Sequence, residues 1–213
     1  MKYKLVLFDM DGTLLDGRTI YILAEKKEFK NELKSILKSG KKFYEITIEI
    51  AKLLKGYKKT ELIKIIREIP LQKDVEKLIK ELKKRKIKTA IVTDSYQFVA
   101  DDLRKRLDLD YAYANNLISL NGRFTGRIVI HNNELIKDYI NNEIYSICKS
   151  CVLDELCDKL GISEKEVIAI GDGIVDISML DKAGLGIAFK ASEKVQKHAD
   201  VTSSDIINLL NYL

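Results

Sequence analysis

The sequence predicts an α/β fold: a doubly wound, mostly parallel sheet covered by helices on both faces. Three observations carry this. Short apolar runs end abruptly in polar, acidic runs; amphipathic helical stretches alternate with those runs; and one block of helical pattern without strands follows the first of them.

Residues 3 to 9 form the first apolar run and stop at Asp9, Met10, Asp11, Gly12 and Thr13, as expected of a strand presenting polar residues at its carboxyl end. From Thr19 to Ile69 the pattern is helical, broken at Gly40 and Gly56 and closed by Pro70, which predicts a helical insertion. Lys73 to Lys86 follows with Val75, Leu78, Ile79 and Leu82 on one face, and with Glu76/Lys80 and Glu81/Arg85 spaced to pair. Lys88 to Val92 is a second buried strand, and a helix is expected from about Ser95 to Leu107, with Asp94 and Ser95 including its N-cap. Asn121-Gly122 marks the turn of a hairpin between Leu117–Leu120 and Arg123–Ile130. A helix from about Cys148 ends at Gly161, a strand spans Val167 to Ile170, and helix, strand and helix complete the chain. The expected division is a core of residues 1–15 and 71–213, with a helical cap at 16–70.

Composition narrows the functional classes. With 213 residues, 46% hydrophobic and 32% charged, the chain can bury a real core, and one proline with eleven glycines argues against linkers. No run is long enough for a membrane span or a signal-peptide core, so the expected setting is cytoplasmic. Cys148, Cys151 and Cys157 are therefore expected as reduced thiols, the Cys-x-x-Cys spacing included, since only His131 and His198 could complete a zinc site. The net charge of +5 is spread over helices rich in both signs, which disfavours nucleic acid as a partner, although Lys83 to Lys86 is a basic run.

In a doubly wound sheet the carboxyl ends of the strands share one crevice. Asp9, Asp11, Asp172 and Asp176 would then crowd together, and like charges about 4 Å apart repel by about 4 kcal/mol at an effective dielectric near 20. A cation must sit among them or some must be protonated. Carboxylate oxygens without histidine or cysteine favour Mg²⁺ over softer metals, and no EF-hand loop suggests calcium. A carboxylate can attack phosphorus while a second, two residues on, shuttles the proton, which suits Asp9 and Asp11. Gly12 allows a tight turn whose backbone N–H groups face a phosphate beside Thr13, and Thr93 and Lys149 could hold its other oxygens.

Residues 9 to 14, Asp-Met-Asp-Gly-Thr-Leu, and 171 to 176, Gly-Asp-Gly-Ile-Val-Asp, resemble the first and fourth motifs of haloacid dehalogenase superfamily phosphatases. Thr93 and Lys149 fall where the second and third are expected, and the likeness to the phosphoserine phosphatase-like group runs along nearly the whole chain. The resemblance implies a Rossmann-like haloacid dehalogenase fold with a helical cap inserted after the first strand. It implies Asp9 as nucleophile, Asp11 as general acid and base, and Mg²⁺ held by Asp9, Asp172 and the Asp11 carbonyl with support from Asp176. Dehalogenation is disfavoured because the enzymes that named the superfamily lack a counterpart of Asp11.

Four positions depart from the phosphoserine phosphatase pattern. Arg18 replaces the glutamate that receives the substrate ammonium, Ile48 or Ile50 replaces the arginine that holds its carboxylate, and Asp94 and Val175 replace a glycine and an asparagine. The expected partner is thus a small phosphorylated metabolite other than phosphoserine, with an anionic or hydroxylated leaving group meeting Arg18. A homodimer is an open assembly state. Phosphoryl transfer to a second substrate, or a non-catalytic phospholigand-binding protein on the same fold, are the alternative functions.

Overall fold

A computed structural model describes residues 2–213 and contains a seven-stranded sheet in the order β4-β3-β2-β1-β5-β6-β7. The strands are β1 (Leu5–Phe8), β2 (Lys88–Tyr96), β3 (Tyr111–Leu120), β4 (Arg123–Val129), β5 (Val167–Gly171), β6 (Leu185–Phe189) and β7 (Val201–Ser203). All neighbours pair in parallel except β3 and β4. The helices are α1 (Thr19–Lys26), α2 (Lys30–Leu37), α3 (Phe43–Leu53), α4 (Lys59–Ile66), α5 (Val75–Lys84), α6 (Gln97–Leu107), α7 (Lys149–Leu160), α8 (Ile177–Lys182) and α9 (Glu193–Gln196).

The central strands read as continuous apolar runs because both of their faces are covered. Along β1, Val6 and Phe8 enter one core while Leu5 and Leu7 enter the other. The same alternation sends Ile168 and Ile170 of β5 to the first core and Val167 and Ala169 to the second. From β1 the chain crosses to β2 on one side and later returns to β5 on the other, so the winding reverses between β1 and β5. The crevice at such a reversal, beyond the carboxyl ends, is where these sheets bind ligands. Residues 9 to 13 and 171 to 176 border it.

Between β1 and α5 lie the four helices α1 to α4. The excursion leaves and returns side by side: Pro70 O accepts from Asp16 N at 2.8 Å, Leu14 O accepts from Gln72 N at 2.9 Å, and Leu15 bridges Leu71. Gly40 and Gly56 separate helices as expected, both at positive φ, and a further break falls at Glu28. The hairpin is bonded to this block, since Gly56 N donates to Phe124 O and Lys59 N to Gly122 O. Gly126 lies against Lys52 so closely that a Cβ would sit 3.3 Å from its Cα.

Several local expectations are corrected. Strand β2 runs on to Tyr96, which pairs with Asn115 after a register shift, so α6 starts at Gln97 with Tyr96 as N-cap, and Asp94 and Ser95 do not cap it. Gln97 fixes that junction by donating to Ala112 O and accepting from Ala114 N. Strand β3 begins at Tyr111, six residues before the expected hairpin arm, because its first half pairs in parallel with β2. A short seventh strand follows α9, where helix alone was expected. Cys148 and Cys151 form a disulfide: the turn that starts α7 brings their Cα atoms to 5.2 Å, within bridging range. Cys157 is a free, buried thiol.

The basic run at 83–86 is partly neutralised, with Lys83 paired to Asp108, Lys84 to Glu81 and Arg85 donating to the carbonyl of Leu213. Arg85 therefore does not make the expected pair with Glu81. Among the described residues no helix is long and apolar enough to cross a membrane.

Leu7 is fully buried in the middle of the sheet. Leu7→Ala is expected to cost about 2–5 kcal/mol, read as a lower midpoint in urea unfolding with an unchanged slope.

Candidate active site

Asp9 follows β1 directly and continues its ladder, its N–H donating to Ile170 O at 2.9 Å. Its side chain is buried, 5% exposed, and Lys149 Nζ donates to its Oδ1 at 2.5 Å. The same ammonium donates to Asp176 Oδ1 at 2.5 Å. Lys149 is the first residue of α7 and is itself 2% exposed, so two carboxylates and one ammonium share a space that only an edge of Asp9 opens to solvent.

Asp176 has both oxygens engaged. Its Oδ2 accepts the backbone N–H groups of Asp172 at 3.0 Å and Gly173 at 2.8 Å, which fixes the loop after β5. A Cβ on Gly171 would lie 2.5 Å from the Asp176 carboxyl carbon, hence the glycine. Asp172 points at the first loop, accepting from Thr13 Oγ1 at 3.3 Å and from Arg18 Nη2 at 2.5 Å. Gly12 has φ +101°, and a Cβ there would stand 2.7 Å from Asp172 Oδ2. The Gly12 N–H donates to Leu15 O at 3.0 Å, so it closes the turn and does not face the crevice as expected.

Asp11 turns the other way. Its Oδ1 accepts from Thr19 N at 3.0 Å and from Thr19 Oγ1 at 2.5 Å, capping the start of α1, where Arg18 supplies no side-chain cap. Thr93 is buried within β2, two residues beyond Ile91, the register partner of Phe8, and its Oγ1 accepts from Ser95 N at 3.2 Å. Asp94 is exposed, and its carbonyl accepts from Asn115 Nδ2 at 2.7 Å.

A cavity of about 280 Å³ opens above Asp11, lined also by Arg18 and Asp94 and otherwise largely by apolar side chains of α1, α3 and Tyr145. Ile50 lines it and Ile48 does not. Arg18, expected to meet the leaving group, directs its guanidinium at Asp172, where opposite charge is denser.

Three carboxylates, Asp9, Asp172 and Asp176, thus pair with two cations, Lys149 and Arg18, while Asp11 bonds Thr19. Burial raises the Asp9 carboxyl well above its ordinary range, and Asp176 and Asp172 add to this, while Lys149 opposes it. Burial and Asp176 likewise raise Asp172. Burial pushes Asp11 up to about 6 against the two Thr19 hydrogen bonds, which favour its charged form. Burial disfavours the Lys149 ammonium, yet Asp176 and Asp9 outweigh it and keep the group protonated.

Asp9, Asp172 and Asp176 each offer a carboxylate oxygen, all within 4.8 Å of one another. Hard oxygen donors in excess of local positive charge fit a divalent metal ion. Asp176 has both oxygens bonded and Asp172 accepts on both from Thr13 and Arg18, so the second oxygen of Asp9 is the free donor of the three, and a metal ion would displace Arg18 or Thr13 from Asp172.

Sequence reasoning missed Thr19 and Gln72. Thr19 was legible as the residue opening the helical block. Gln72, which donates to Gly12 O and Asp16 Oδ1 and accepts from Lys190, carries no motif.

The sequence pattern of the haloacid dehalogenase-like hydrolases matches residues 6–181. The chain belongs to that family. Within it the chain falls in the phosphoserine phosphatase-like group, and it is an enzyme of the phosphatase kind. A phosphoserine phosphatase of Methanocaldococcus jannaschii is 34% identical over 218 residues, covering 100% of this chain and 98% of that protein. One from Archaeoglobus fulgidus is 33% identical over 99% of this chain, which spans 60% of that longer relative. Among solved structures, a phospho-aspartyl intermediate analogue of phosphoserine phosphatase superposes with a TM-score of 0.83 at 33% identity, each chain covered completely. A substrate-bound phosphoserine phosphatase gives 0.83 at 32% identity, covering 100% of this chain and 99% of that one. The fold and the family expected from residues 9 to 14 and 171 to 176 are therefore borne out.

The raised Asp11 carboxyl predicts a pH effect on stability. Below about pH 4 the group is protonated whether folded or unfolded and contributes no penalty. Between about pH 4 and pH 6 the unfolded chain ionises this group while the folded chain keeps its proton, so stability falls across that window by about 3 kcal/mol and is level above it. With chelator present, Asp11→Asn is expected to unfold at higher urea than the unsubstituted protein at pH 8 and to show no such gain at pH 4.

Proposed function

We propose that this enzyme is a magnesium-dependent phosphomonoester hydrolase that acts on a small phosphorylated metabolite through an aspartyl-phosphate at Asp9. The observation that carries this is the buried Asp9 carboxylate, held by Lys149 at the reversal of the sheet, with Asp11 two residues on at the floor of an open cavity.

In this reading an Asp9 oxygen attacks phosphorus, the Asp9 O–P bond forms and the bond from phosphorus to the ester oxygen breaks. Asp11, whose raised pKa suits a proton donor, gives its proton to the departing alkoxide. It then accepts a proton from the water that attacks phosphorus, and phosphate leaves as the Asp9 carboxylate is restored. Lys149 and the Thr93 hydroxyl hold phosphoryl oxygens, with Thr13 and Gly12 shaping the turn beneath them. Asp9, Asp172 and the Asp11 carbonyl would hold Mg²⁺, which when bound neutralises charge between nucleophile and phosphate. Asp176 supports that set through the loop it fixes.

Residues 16–70 act as a helical cap on a core of 1–15 and 71–213, supported by the paired exit and return at Asp16/Pro70 and Leu14/Gln72. Such a cap excludes water while the ester is cleaved. The similar proteins named above are phosphoserine phosphatases, but Arg18 and Ile50 replace the groups that would receive an ammonium and a carboxylate. The substrate is thus a phosphomonoester other than phosphoserine. The cytoplasmic setting is part of this proposal, and the Cys148–Cys151 bridge is the feature that pulls against it.

Phosphate release from a panel of phosphomonoesters should require Mg²⁺, stop with chelator, and fall by at least about a thousandfold in Asp9→Asn. Asp11→Asn should lose about 10²–10⁴-fold. Undiminished release by Asp9→Asn would refute the assignment.

A further inference from the structure

The cavity above Asp11 carries a statement about the alcohol that leaves. Three of the large apolar side chains exposed on this protein, Tyr21, Leu37 and Phe43, are 50%, 41% and 40% exposed, and all three line this cavity. Exposed apolar residues that converge on one concavity mark a place where something apolar docks. Deeper in, Ile50 and Tyr96 are buried, and Tyr145 packs against Phe43 with ring centroids 4.9 Å apart. Most of the wall is thus aromatic and aliphatic, with Asp11, Arg18 and Asp94 as its charged members, and about 280 Å³ is ample for a ring as well as the ester oxygen.

The charged residues of the lining do not suit an amino acid. Arg18 is the cation of the lining, and its Nη2 is held by Asp172. A carboxylate on the leaving group would have to share Arg18 with Asp172 and would face Asp11 and Asp94. An ammonium would meet Asp94 only where that side chain is exposed and water screens the attraction, with Arg18 nearby opposing it. Asp11 is already occupied by Thr19.

We propose that the substrate is the phosphate monoester of an uncharged alcohol with an apolar or aromatic body, and that Phe43, Ile50 and Tyr145 select it. This rests on the reading of Asp9 and Asp11 given above, because Asp11 can protonate a leaving oxygen only at the cavity floor.

Three esters of unactivated alcohols separate the possibilities: benzyl phosphate, phosphoethanolamine and phosphoserine, each assayed with Mg²⁺. Benzyl phosphate is expected to have the highest kcat/KM, by at least tenfold. Phe43→Ala, at a half-exposed position, is expected to lower the benzyl-to-phosphoserine ratio about tenfold, through KM for benzyl phosphate. A higher kcat/KM for either charged substrate, or an equal effect of Phe43→Ala on all three, would overturn the proposal. Calorimetric binding of benzylphosphonate and methylphosphonate to the Mg²⁺-loaded protein reads the cavity without turnover. Benzylphosphonate binding at least tenfold tighter supports the apolar site even if hydrolysis fails, whereas equal affinities overturn it and leave the hydrolase reading to the Asp9→Asn assay.

Discussion

Lys149 lies buried between Asp9 and Asp176, and three separate stretches of chain must meet correctly for that contact to form. Asp9 arrives on β1, Asp176 on the turn after β5, and Lys149 on the first turn of α7. Buried ion pairs of this kind add little stability relative to apolar packing, yet losing one partner costs about 3–5 kcal/mol, because the other charge is left unpaired. Chemistry accounts for such a cluster better than stability does. It presents a carboxyl oxygen beside a fixed positive charge, where a phosphoryl group would need both.

Its neighbours follow from it. Asp176 can serve Lys149 with one oxygen because the other grips the backbone of Asp172 and Gly173, and that grip leaves no room for a side chain at Gly171. Asp172 is thereby set over Gly12, where again a Cβ would collide. Asp11 is turned away from this crowd and caps α1, so the proton-carrying group and the first helix of the excursion are one mechanical unit. A substrate that moves α1 would move Thr19 with it, and with Thr19 the hydrogen bonds that hold the Asp11 charge.

The sheet and the acidic cluster were legible in the sequence because both depend on local pattern: apolar runs of four or five residues ending in aspartate. What escaped depends on tertiary pairing. Strand β2 continues past Thr93 because Tyr96 finds Asn115 and Gln97 finds the backbone of β3, contacts between residues some twenty positions apart. For the same reason Asp94 and Ser95, good capping residues by type, do not cap. The Cys148–Cys151 bridge was read as two thiols because spacing alone does not reveal that the backbone turns there. Arg18 was expected to meet the leaving group, but its guanidinium bonds Asp172, a pairing that no single motif displays.

Chemical trapping tests the central role of Asp9 most directly. Acid-quenching the enzyme during turnover with Mg²⁺, followed by borohydride reduction, converts an acyl phosphate to an alcohol and so turns a phosphorylated aspartate into homoserine. Peptide mass spectrometry should find homoserine at position 9, only with substrate and Mg²⁺ together. Homoserine at another aspartate, or none at any position while phosphate is being released at saturating substrate, would contradict attack by Asp9.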